Sequence, residues 1–411
     1  CCIHRGKSNK IRMSKVFVTG FGAISAIGNS TLEARSSLIN GTSGIKKARF
    51  FKSNYVNSLL FGEIPLNDEE FINLTNSPKN SGLTRTSLIA LAAFQQAITS
   101  ANLSEEVLSS FTTGFISAST VGGMCYTDEL YKDANLHGEA SEFVRSYEAS
   151  DHTFQIASRY NIKGYTDTIN TACSSSANAI LLGARLIQSG RLDRVIVGGA
   201  DSLAKYTVNG FNALMILSDE ACAPFSTDRK GLNLGEAGAY LVLENERCSN
   251  KKKKYAEVIG FGNTNDAFHP SATSPDAVGP VLAMQKALQV AGISANAINY
   301  INAHGTGTIN NDETESTAFA TVFENNPPPF NSTKSYTGHT LAASGALEAV
   351  FSILSMENNE LYPSLNCQAP IHTFPFQPIQ SYCKQQPIQY IMSNSFGFGG
   401  NCTSLIFSKC M

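Results

Sequence analysis

One pattern occurs twice in the chain, and it constrains the fold more than any other feature of the sequence. Residues 15–22 and 255–262 are both apolar runs that end in Gly-Phe-Gly, 240 positions apart. Each is typical of a β-strand that runs into a glycine turn. Repetition of this kind indicates an internal duplication. We therefore predict two related halves, residues 13–254 and 255–411, with the boundary beside the lysine run 251–254.

The rest of the sequence alternates between short apolar segments and segments with helical periodicity, which is typical of an α/β fold. A chain of 411 residues exceeds what a single core usually serves, in agreement with two halves. Apolar strands between helices indicate buried parallel or mixed sheets. The predicted strands are 115–118, 165–170, 194–197, 239–243, 300–302, 390–393 and 404–407, and the predicted helices are 86–101, 175–188, 277–291 and 344–355.

Composition argues against several functional classes. A formal net charge of −2 gives no basic field for nucleic acid, and no apolar run suits a membrane-spanning helix. The ten cysteines contain no CxxC pair, which argues against a metal site and favours reduced thiols in the cytoplasm. Residues 1–12 lack the hydrophobic stretch of a secretory signal, and we expect an extension outside the fold. The polar segment 125–158 is predicted to be a helical surface excursion.

The candidate nucleophile is Cys173, in the segment Thr-Ala-Cys-Ser-Ser-Ser. It follows a predicted strand and precedes a predicted helix that begins with serines, which favour helix N-termini. Unpaired backbone N–H groups and the positive end of the helix dipole are expected to lower the pKa of a thiol here. A buried structural cysteine in a serine-rich cap is the alternative that this segment leaves open.

Two histidines lie among small residues in similar settings. His304 is in Asn-Ala-His-Gly-Thr-Gly-Thr, where the glycines permit close backbone approach and Thr306 and Thr308 can bind a polar ligand. His339 precedes a run of small residues similar to the one after the cysteine. A thiol and two imidazoles are what a thioester enzyme that forms carbon–carbon bonds requires. The glycine-rich segment 394–400 is suited to line the same site.

Together these segments resemble the elongating β-ketoacyl-(acyl carrier protein) synthases of type II fatty-acid and polyketide systems, acyltransferases of the condensing-enzyme or thiolase superfamily. The resemblance runs from about residue 13 to residue 409 and includes 211–214, 224–229 and 235–238. It implies a thiolase fold with two duplicated α/β halves and two mixed sheets, in a five-layered αβαβα arrangement. It also implies decarboxylative condensation of malonyl-carrier with a cysteine-bound acyl chain, which grows by two carbons.

The resemblance also implies roles for individual residues. Cys173 would accept the acyl group, while His304 and His339 would flank the thioester carbonyl of malonyl-carrier. Lys334 and Glu315 would hold the two histidines in position. No metal and no organic cofactor is implied, because the substrates are carried on the phosphopantetheine arm of acyl carrier protein.

Further contacts follow from the same resemblance. The ring of Phe398 would gate the pocket, and its backbone N–H would form an oxyanion hole with that of Cys173. The expected partners are acyl carrier protein and either a second copy of the chain or a chain-length factor. The expected substrate-binding residues are Thr306, Thr308, Val121, Phe211, Phe396 and Gly397.

Three alternatives remain open from the sequence. Departures such as Asn401-Cys402, where Thr-Asn is usual, resemble the ketosynthases of aryl-polyene or flexirubin pigment clusters, which act on conjugated chains. A non-catalytic partner resembling a chain-length factor would lack the nucleophile, whereas Cys173 is present. A degradative thiolase would use a second cysteine after the glycine-rich loop, where Cys402 stands, but it would leave His339 without a counterpart.

The surface that receives the acidic carrier protein is expected to be basic. The basic candidates are Lys79, Arg85, Lys205 and Arg229. Arg229 is equally suited to an internal ion pair with Asp228 or Glu236. Asp266 and His269 are placed to line the pocket or, alternatively, to hold a polar loop together.

Overall fold

The computed structural model describes residues 14–79, 82–126, 147–384 and 387–410. The predicted extension, 1–12, lies outside these residues, as does most of the predicted polar excursion. The strands are β1 (Val16–Ser25), β2 (Thr113–Ala118), β3 (Thr166–Ile169), β4 (Arg194–Asp201), β5 (Ala237–Asn245), β6 (Ala256–Asn265), β7 (Tyr300–Asn302), β8 (Phe330–Asn331), β9 (Glu360–Leu361), β10 (Cys383–Lys384), β11 (Tyr390–Phe396) and β12 (Asn401–Ser408). The helices are α1 (Thr31–Asn40), α2 (Asp68–Thr75), α3 (Arg85–Ser100), α4 (Glu105–Leu108), α5 (Asp151–Arg159), α6 (Ser175–Gln188), α7 (Lys205–Ala213), α8 (Val278–Ala291), α9 (Ile309–Val322), α10 (Lys334–Thr337) and α11 (Ser344–Asn358).

One sheet contains ten of the described strands, in the order β3-β2-β4-β5-β1-β6-β12-β11-β7-β8. The pairings read the same from either end: two parallel, two antiparallel, and then the antiparallel pair of β1 with β6 at the centre. The central ladder is short, and joins Phe17 to Glu257 and Val18 to Ala256. Because β1 and β6 are hydrogen-bonded to each other, the ten strands form one continuous sheet rather than two separate sheets.

The two Gly-Phe-Gly segments lie inside strands, so the predicted glycine turns are wrong. A helix crosses each strand closely at these glycines. A Cβ on Gly22 of β1 would lie 2.5 Å from the carbonyl oxygen of Ala93 in α3. A Cβ on Gly262 of β6 would lie 2.1 Å from that of Ala283 in α8. The repeated pattern therefore marks the same close helix–strand contact in both parts of the sheet.

Five layers result from this packing. Helix α3 covers the outer face of β1, β4 and β5, and α8 covers the outer face of β6 and β12. Between the two parts of the sheet lie α6 and α11, which pack against each other and against strands of both. Their first turns are in contact, because the Ala346 N–H donates to Ser176 Oγ at 2.9 Å. This contact brings the segments before the two helices, which contain Cys173 and His339, to one place.

Most predicted elements are present with shifted ends. The predicted helix 175–188 coincides with α6. Strands β4 and β11 extend beyond the predicted ends, because the residues that follow the predicted apolar segments are mostly small or polar and are nevertheless buried. Across the part of the chain that the structure describes, no helix is both long enough and apolar enough to span a membrane.

Candidate active site

Cys173 lies at a sharp turn between β3 and α6. The residue before it, Ala172, has a φ of +52°, in the left-handed region that L-residues rarely occupy. Ser175 closes the turn: its hydroxyl accepts from the Thr171 N–H at 2.8 Å and donates to the Ala172 carbonyl at 2.5 Å. The cysteine is only 5% exposed. Local hydrogen bonds thus hold the thiol in a buried position at the start of a helix.

The serine after the cysteine does not cap the helix as the sequence suggests. Ser174 occupies the N-cap position but makes no side-chain hydrogen bond to the first turn of α6. Its hydroxyl instead lies 2.8 Å from the carbonyl oxygen of Thr171 and 2.7 Å from Oδ1 of Asn401. Ser174 therefore joins the turn at residues 171–175, called the nucleophile turn below, to the glycine-rich loop that precedes Asn401.

The thiol is less acidic than predicted. Burial raises the pKa of Cys173 to about 11, whereas the helix start was expected to lower it. The backbone N–H of Phe398 and the charge of Lys334 favour the thiolate, but they do not outweigh the loss of water around the sulfur. The sequence argument considered the helix dipole and had no measure of burial. Near pH 7 the side chain of Cys173 is therefore a thiol rather than a thiolate.

The structure brings His304 and His339 to this thiol. Cys173 Sγ and a ring nitrogen of each histidine all lie within 4.8 Å of one another. The imidazole centroids are 5.4 Å apart and the rings are nearly perpendicular. Burial lowers the pKa of both histidines well below the usual range, and the charge of Lys334 acts in the same direction. Both imidazoles are therefore neutral near pH 7.

His304 is held through its backbone and its ring by different partners. The carboxylate of Glu315, on α9, accepts from the N–H of His304 at 2.9 Å and from that of Gly305 at 2.8 Å. The ammonium of Lys334 lies 3.2 Å from Nδ1 of His304 and 2.6 Å from its carbonyl oxygen. Because an ammonium can only donate, Nδ1 is the acceptor and the ring proton is on Nε2.

His339 has the same tautomer for a different reason. Its Nδ1 accepts from the backbone N–H of Leu341 at 3.1 Å, which leaves the ring proton on Nε2. The next N–H, of Ala342, donates to Asp201 at 2.8 Å. The sequence analysis did not identify Asp201, which is fully buried at the end of β4 and 141 positions from Ala342. Glu315 was expected to position both histidines, but its hydrogen bonds reach only the segment of His304.

The sequence analysis also missed Glu348. This residue lies on α11 and forms a buried ion pair with Lys334. Burial raises the pKa of Glu348 to about 7, and the charge of Lys334 acts against this shift. The available signal was an acidic residue flanked by apolar residues in the first half of α11, because a charge in such a place requires a partner.

The glycine-rich loop after β11 completes the site. Gly397 lies so close to the nucleophile turn that a Cβ there would be 2.8 Å from the carbonyl oxygen of Thr171. The N–H of the next residue, Phe398, points to the sulfur of Cys173. The Phe398 ring stacks on Phe211 of α7, with centroids 5.6 Å apart. Two backbone N–H groups, of Cys173 and Phe398, thus face the same region.

A cavity of about 230 Å³ opens beside these groups. Val121, which was expected to contact substrate, does not line it, because its N–H is bound to Asp201 and its side chain is buried in an apolar cluster. Lys334 and Glu315 lie behind the histidines. The predicted residues that do line the cavity are Cys173, His304, His339, Thr306, Thr308, Phe211, Phe396, Gly397 and Phe398.

The two arginines proposed for carrier binding are engaged elsewhere. Arg229 is buried and donates to Glu313 at 2.9 Å, rather than to Asp228 or Glu236. Glu236 is bound by Arg85 at 2.5 Å. The basic residue that lines the cavity is Lys230, which the sequence analysis did not single out.

The Asp266 segment is a structural loop. The Asp266 carboxylate accepts from the N–H and hydroxyl of Ser274 and from the N–H of Gly279. His269 is exposed and accepts from the Ser271 N–H at 3.2 Å. Neither Asp266 nor His269 lines the cavity. Their hydrogen bonds instead hold a polar loop together, which was the alternative left open by the sequence.

The thiol and the two imidazoles are also ligands that zinc prefers. Among the described residues, they are the group of three whose ligand atoms lie close enough together for a metal ion. The same geometry thus suits proton chemistry or a soft metal ion, and a chelator distinguishes the two.

A buried thiol and two neutral imidazoles, held between the two parts of a five-layered α/β structure, define a condensing enzyme of the thiolase fold. The family models for the β-ketoacyl synthase N-terminal and C-terminal domains match residues 13–248 and 255–368. A 3-oxoacyl-[acyl-carrier-protein] synthase 2 of Staphylococcus aureus is 31% identical over 409 residues, which cover 96% of this chain and 98% of that protein. The chain therefore belongs to the β-ketoacyl synthase family. It is an acyltransferase of the 3-oxoacyl-[acyl-carrier-protein] synthase type.

Solved structures agree with this assignment and confirm the predicted fold. The ishigamide ketosynthase/chain length factor matches with a TM-score of 0.91 and 28% identity, covering 97% of this chain and 100% of that one. A ketosynthase of Xenorhabdus doucetiae, in complex with its chain length factor, matches with a TM-score of 0.83 and 31% identity, covering 97% and 98%. The predicted family is therefore confirmed.

Proposed function

We propose that the enzyme elongates acyl chains by decarboxylative condensation with malonyl-(acyl carrier protein). The observation that carries the proposal is the convergence of one thiol and two imidazoles, with Sγ of Cys173 and a ring nitrogen of each histidine within 4.8 Å of one another. Similarity to a 3-oxoacyl-[acyl-carrier-protein] synthase supports the choice of carrier-bound substrates.

In the first step the sulfur of Cys173 attacks the acyl thioester of the carrier. The oxygen of the tetrahedral intermediate accepts from the backbone N–H groups of Cys173 and Phe398, and removal of one such donor in other enzymes costs about 2.7–4 kcal/mol. The carrier sulfur then leaves and receives the proton that the thiol of Cys173 gave up. A thiol with a pKa of about 11 is seldom ionised, so this proton is transferred as the new carbon–sulfur bond forms.

In the second step malonyl-carrier takes the place of the first carrier. Its thioester oxygen accepts from Nε2–H of His304 and of His339, which stabilise the enolate formed when carbon dioxide leaves. The enolate carbon attacks the acyl carbonyl on Cys173 and the carbon–sulfur bond breaks. The released thiolate takes up one proton from solvent, which balances the negative charge lost when the malonyl carboxylate leaves as carbon dioxide. The product is a β-ketoacyl-carrier two carbons longer.

The remaining residues of the cavity receive supporting roles in this proposal. Thr306 and Thr308, whose hydroxyls are 2.8 Å apart, would bind the phosphopantetheine arm. Phe398 and Phe211 would separate the acyl pocket from this arm, and Phe396 would pack against His304. No metal or organic cofactor takes part. We also propose a cytoplasmic location, supported by the eight free cysteines among the described residues.

We also propose a subunit assembly for the enzyme and two candidate pathways. Two similar structures contain a chain length factor, which favours a heterodimer of this enzyme with such a partner over a homodimer. Two pathways remain as candidates: ordinary fatty-acid elongation, and synthesis of conjugated chains for an aryl-polyene or flexirubin pigment.

Intact-protein mass spectrometry tests the proposal. The enzyme is offered a saturated medium-chain carrier and a polyenoyl carrier in competition, with and without a chelator. We expect an acyl adduct on Cys173, and the preferred chain distinguishes the two pathways. Absence of an adduct from both carriers, including after addition of a chain-length factor, would contradict the proposed function; activity that is lost on chelation would contradict a metal-free site.

A further inference from the structure

Asn401 links the glycine-rich loop to the nucleophile helix. It is the first residue of β12 and follows the loop directly. Its Oδ1 accepts from the Ser174 hydroxyl at 2.7 Å, from Asn178 Nδ2 at 2.9 Å and from Asn263 Nδ2 at 2.8 Å. Two of these donors lie at the start of α6, directly after Cys173. A single oxygen therefore joins three segments that are more than 80 positions apart in the chain.

The backbone of Asn401 also closes the loop. Its carbonyl accepts from the Gly397 N–H at 2.8 Å, and the Gly400 N–H donates to the Gly397 carbonyl at 3.1 Å. Phe398 lies inside this closed turn. Gly399 and Gly400 have φ values of 80° and 84°, so the loop conformation depends on glycine and on these hydrogen bonds.

We infer that Asn401 is a positioning residue that fixes the distance between the two N–H groups of the oxyanion hole. One N–H belongs to the helix start at Cys173 and the other to the loop at Phe398. Asn401 is bonded to both segments, by its side chain to the helix start and by its backbone carbonyl to the loop. The inference rests on the proposed function, because it takes these two N–H groups as the oxyanion donors. A misplacement of about 1 Å in such a group can cost about a hundredfold in rate.

The histidines are held by other partners. His304 is bonded to Glu315 and Lys334, and the His339 turn is bonded to Asp201. Loss of the Asn401 side chain should therefore impair acyl transfer to Cys173 and spare the decarboxylation of malonyl-carrier. A side chain needed only for folding would affect both reactions equally.

The experiment compares Asn401→Ala with Asn401→Asp, which keeps the accepting oxygen. Asn358→Ala is the matched control, because among the described residues the Asn358 side chain bonds within α11, where its Nδ2 donates to the Leu354 carbonyl. Acyl transfer is followed in a single turnover by intact mass, and decarboxylation by the acetyl-carrier that it forms. Asn401→Leu, which keeps the side-chain volume but has no accepting oxygen, replaces the alanine variant if that protein does not fold.

We expect Asn401→Ala to slow acyl transfer about a hundredfold and decarboxylation less than about twofold. Asn401→Asp should recover acyl transfer to within about tenfold of the wild type, and Asn358→Ala should behave as the wild type. Wild-type acyl transfer in Asn401→Ala, or equal loss of both reactions, would overturn the inference. Failure of the wild-type enzyme to acylate Cys173 would instead overturn the proposed function on which it rests.

Discussion

The nucleophile turn and the histidine pair place reactive side chains at one site by opposite means. The turn at Cys173 is closed by hydrogen bonds that span three or four residues, within Thr171–Ser175, and those partners are uncharged. The histidines depend on buried charges at a distance: Lys334 lies 30 positions from His304. Backbone geometry thus positions the thiol, whereas the buried charge of Lys334 sets the tautomer of His304 and the buried carboxylate of Asp201 holds the turn after His339.

This difference predicts that the two half-reactions can be separated by substitution. Acyl transfer requires the thiol and the backbone N–H groups beside it. Decarboxylation requires the two Nε2–H donors and the partners that fix them. Three measurements test this separation, in order of decreasing expected effect.

Cys173→Ala should have the largest effect. It removes the nucleophile, so acyl transfer and condensation should fall at least about a thousandfold, while malonyl decarboxylation continues within about tenfold of the wild-type rate. Adduct formation and acetyl-carrier production measure the two rates. Cys402→Ala is the control, because Cys402 does not line the cavity; a comparable loss in that variant would favour the thiolase alternative.

Removal of the buried Lys334–Glu348 ion pair should impair decarboxylation more than acyl transfer. The double variant Lys334→Met/Glu348→Gln removes both members of the buried pair and so leaves no unpaired charge. Without the ammonium, Nδ1 of His304 no longer has a fixed donor, and decarboxylation should fall about a hundredfold. Acyl transfer should change less than about threefold, as measured by the mass adduct.

A matched buried ion pair provides the control for that variant. Arg194 and Glu244 are both buried and bonded at 2.5 Å, away from the cavity. Arg194→Met/Glu244→Gln should lower the thermal midpoint of unfolding without separating the two half-reactions. An equal loss of both half-reactions in the Lys334/Glu348 variant would contradict independent positioning.

The pH dependence should show the smallest contrast. Because the pKa of Cys173 is raised to about 11, its thiolate fraction grows with pH, and acyl transfer should accelerate by up to about tenfold per pH unit between pH 6.5 and 8.5. Decarboxylation should remain nearly constant over this range, because both imidazoles have pKa values well below 6.5 and stay neutral. If the two half-reactions had parallel pH profiles, separate dependence on the Cys173 thiol and on the two neutral imidazoles would be contradicted.

The sequence predicted features that depend on neighbouring residues and missed those that depend on residues far away in the chain. The helix after Cys173 was placed correctly because a local pattern of small residues defines its start. Glu348, Asp201 and Asn401 were missed because their roles depend on partners 14, 141 and 227 positions away. No periodicity indicates which segments meet at such distances.

Other predictions failed because burial, rather than residue type, decides them. The glycines of β1 were interpreted as a turn, although they accommodate a helix that crosses the strand. The pKa of Cys173 was expected to fall, because desolvation is not visible in a sequence. Val121 was expected to contact substrate, but it is buried, its N–H is bound to Asp201, and it does not line the cavity beside Cys173. The division into halves at 254 stays a prediction.

The central place of β1 has a consequence for synthesis on the ribosome. β1 is near the start of the chain, yet its two neighbours in the sheet are residues 237–245 and 256–257. At about 5–20 residues per second, on the order of ten to forty seconds pass before those neighbours are made. During this interval both edges of an apolar strand are unpaired, a state in which strands tend to aggregate. The nascent chain should therefore depend on chaperones until its second half emerges.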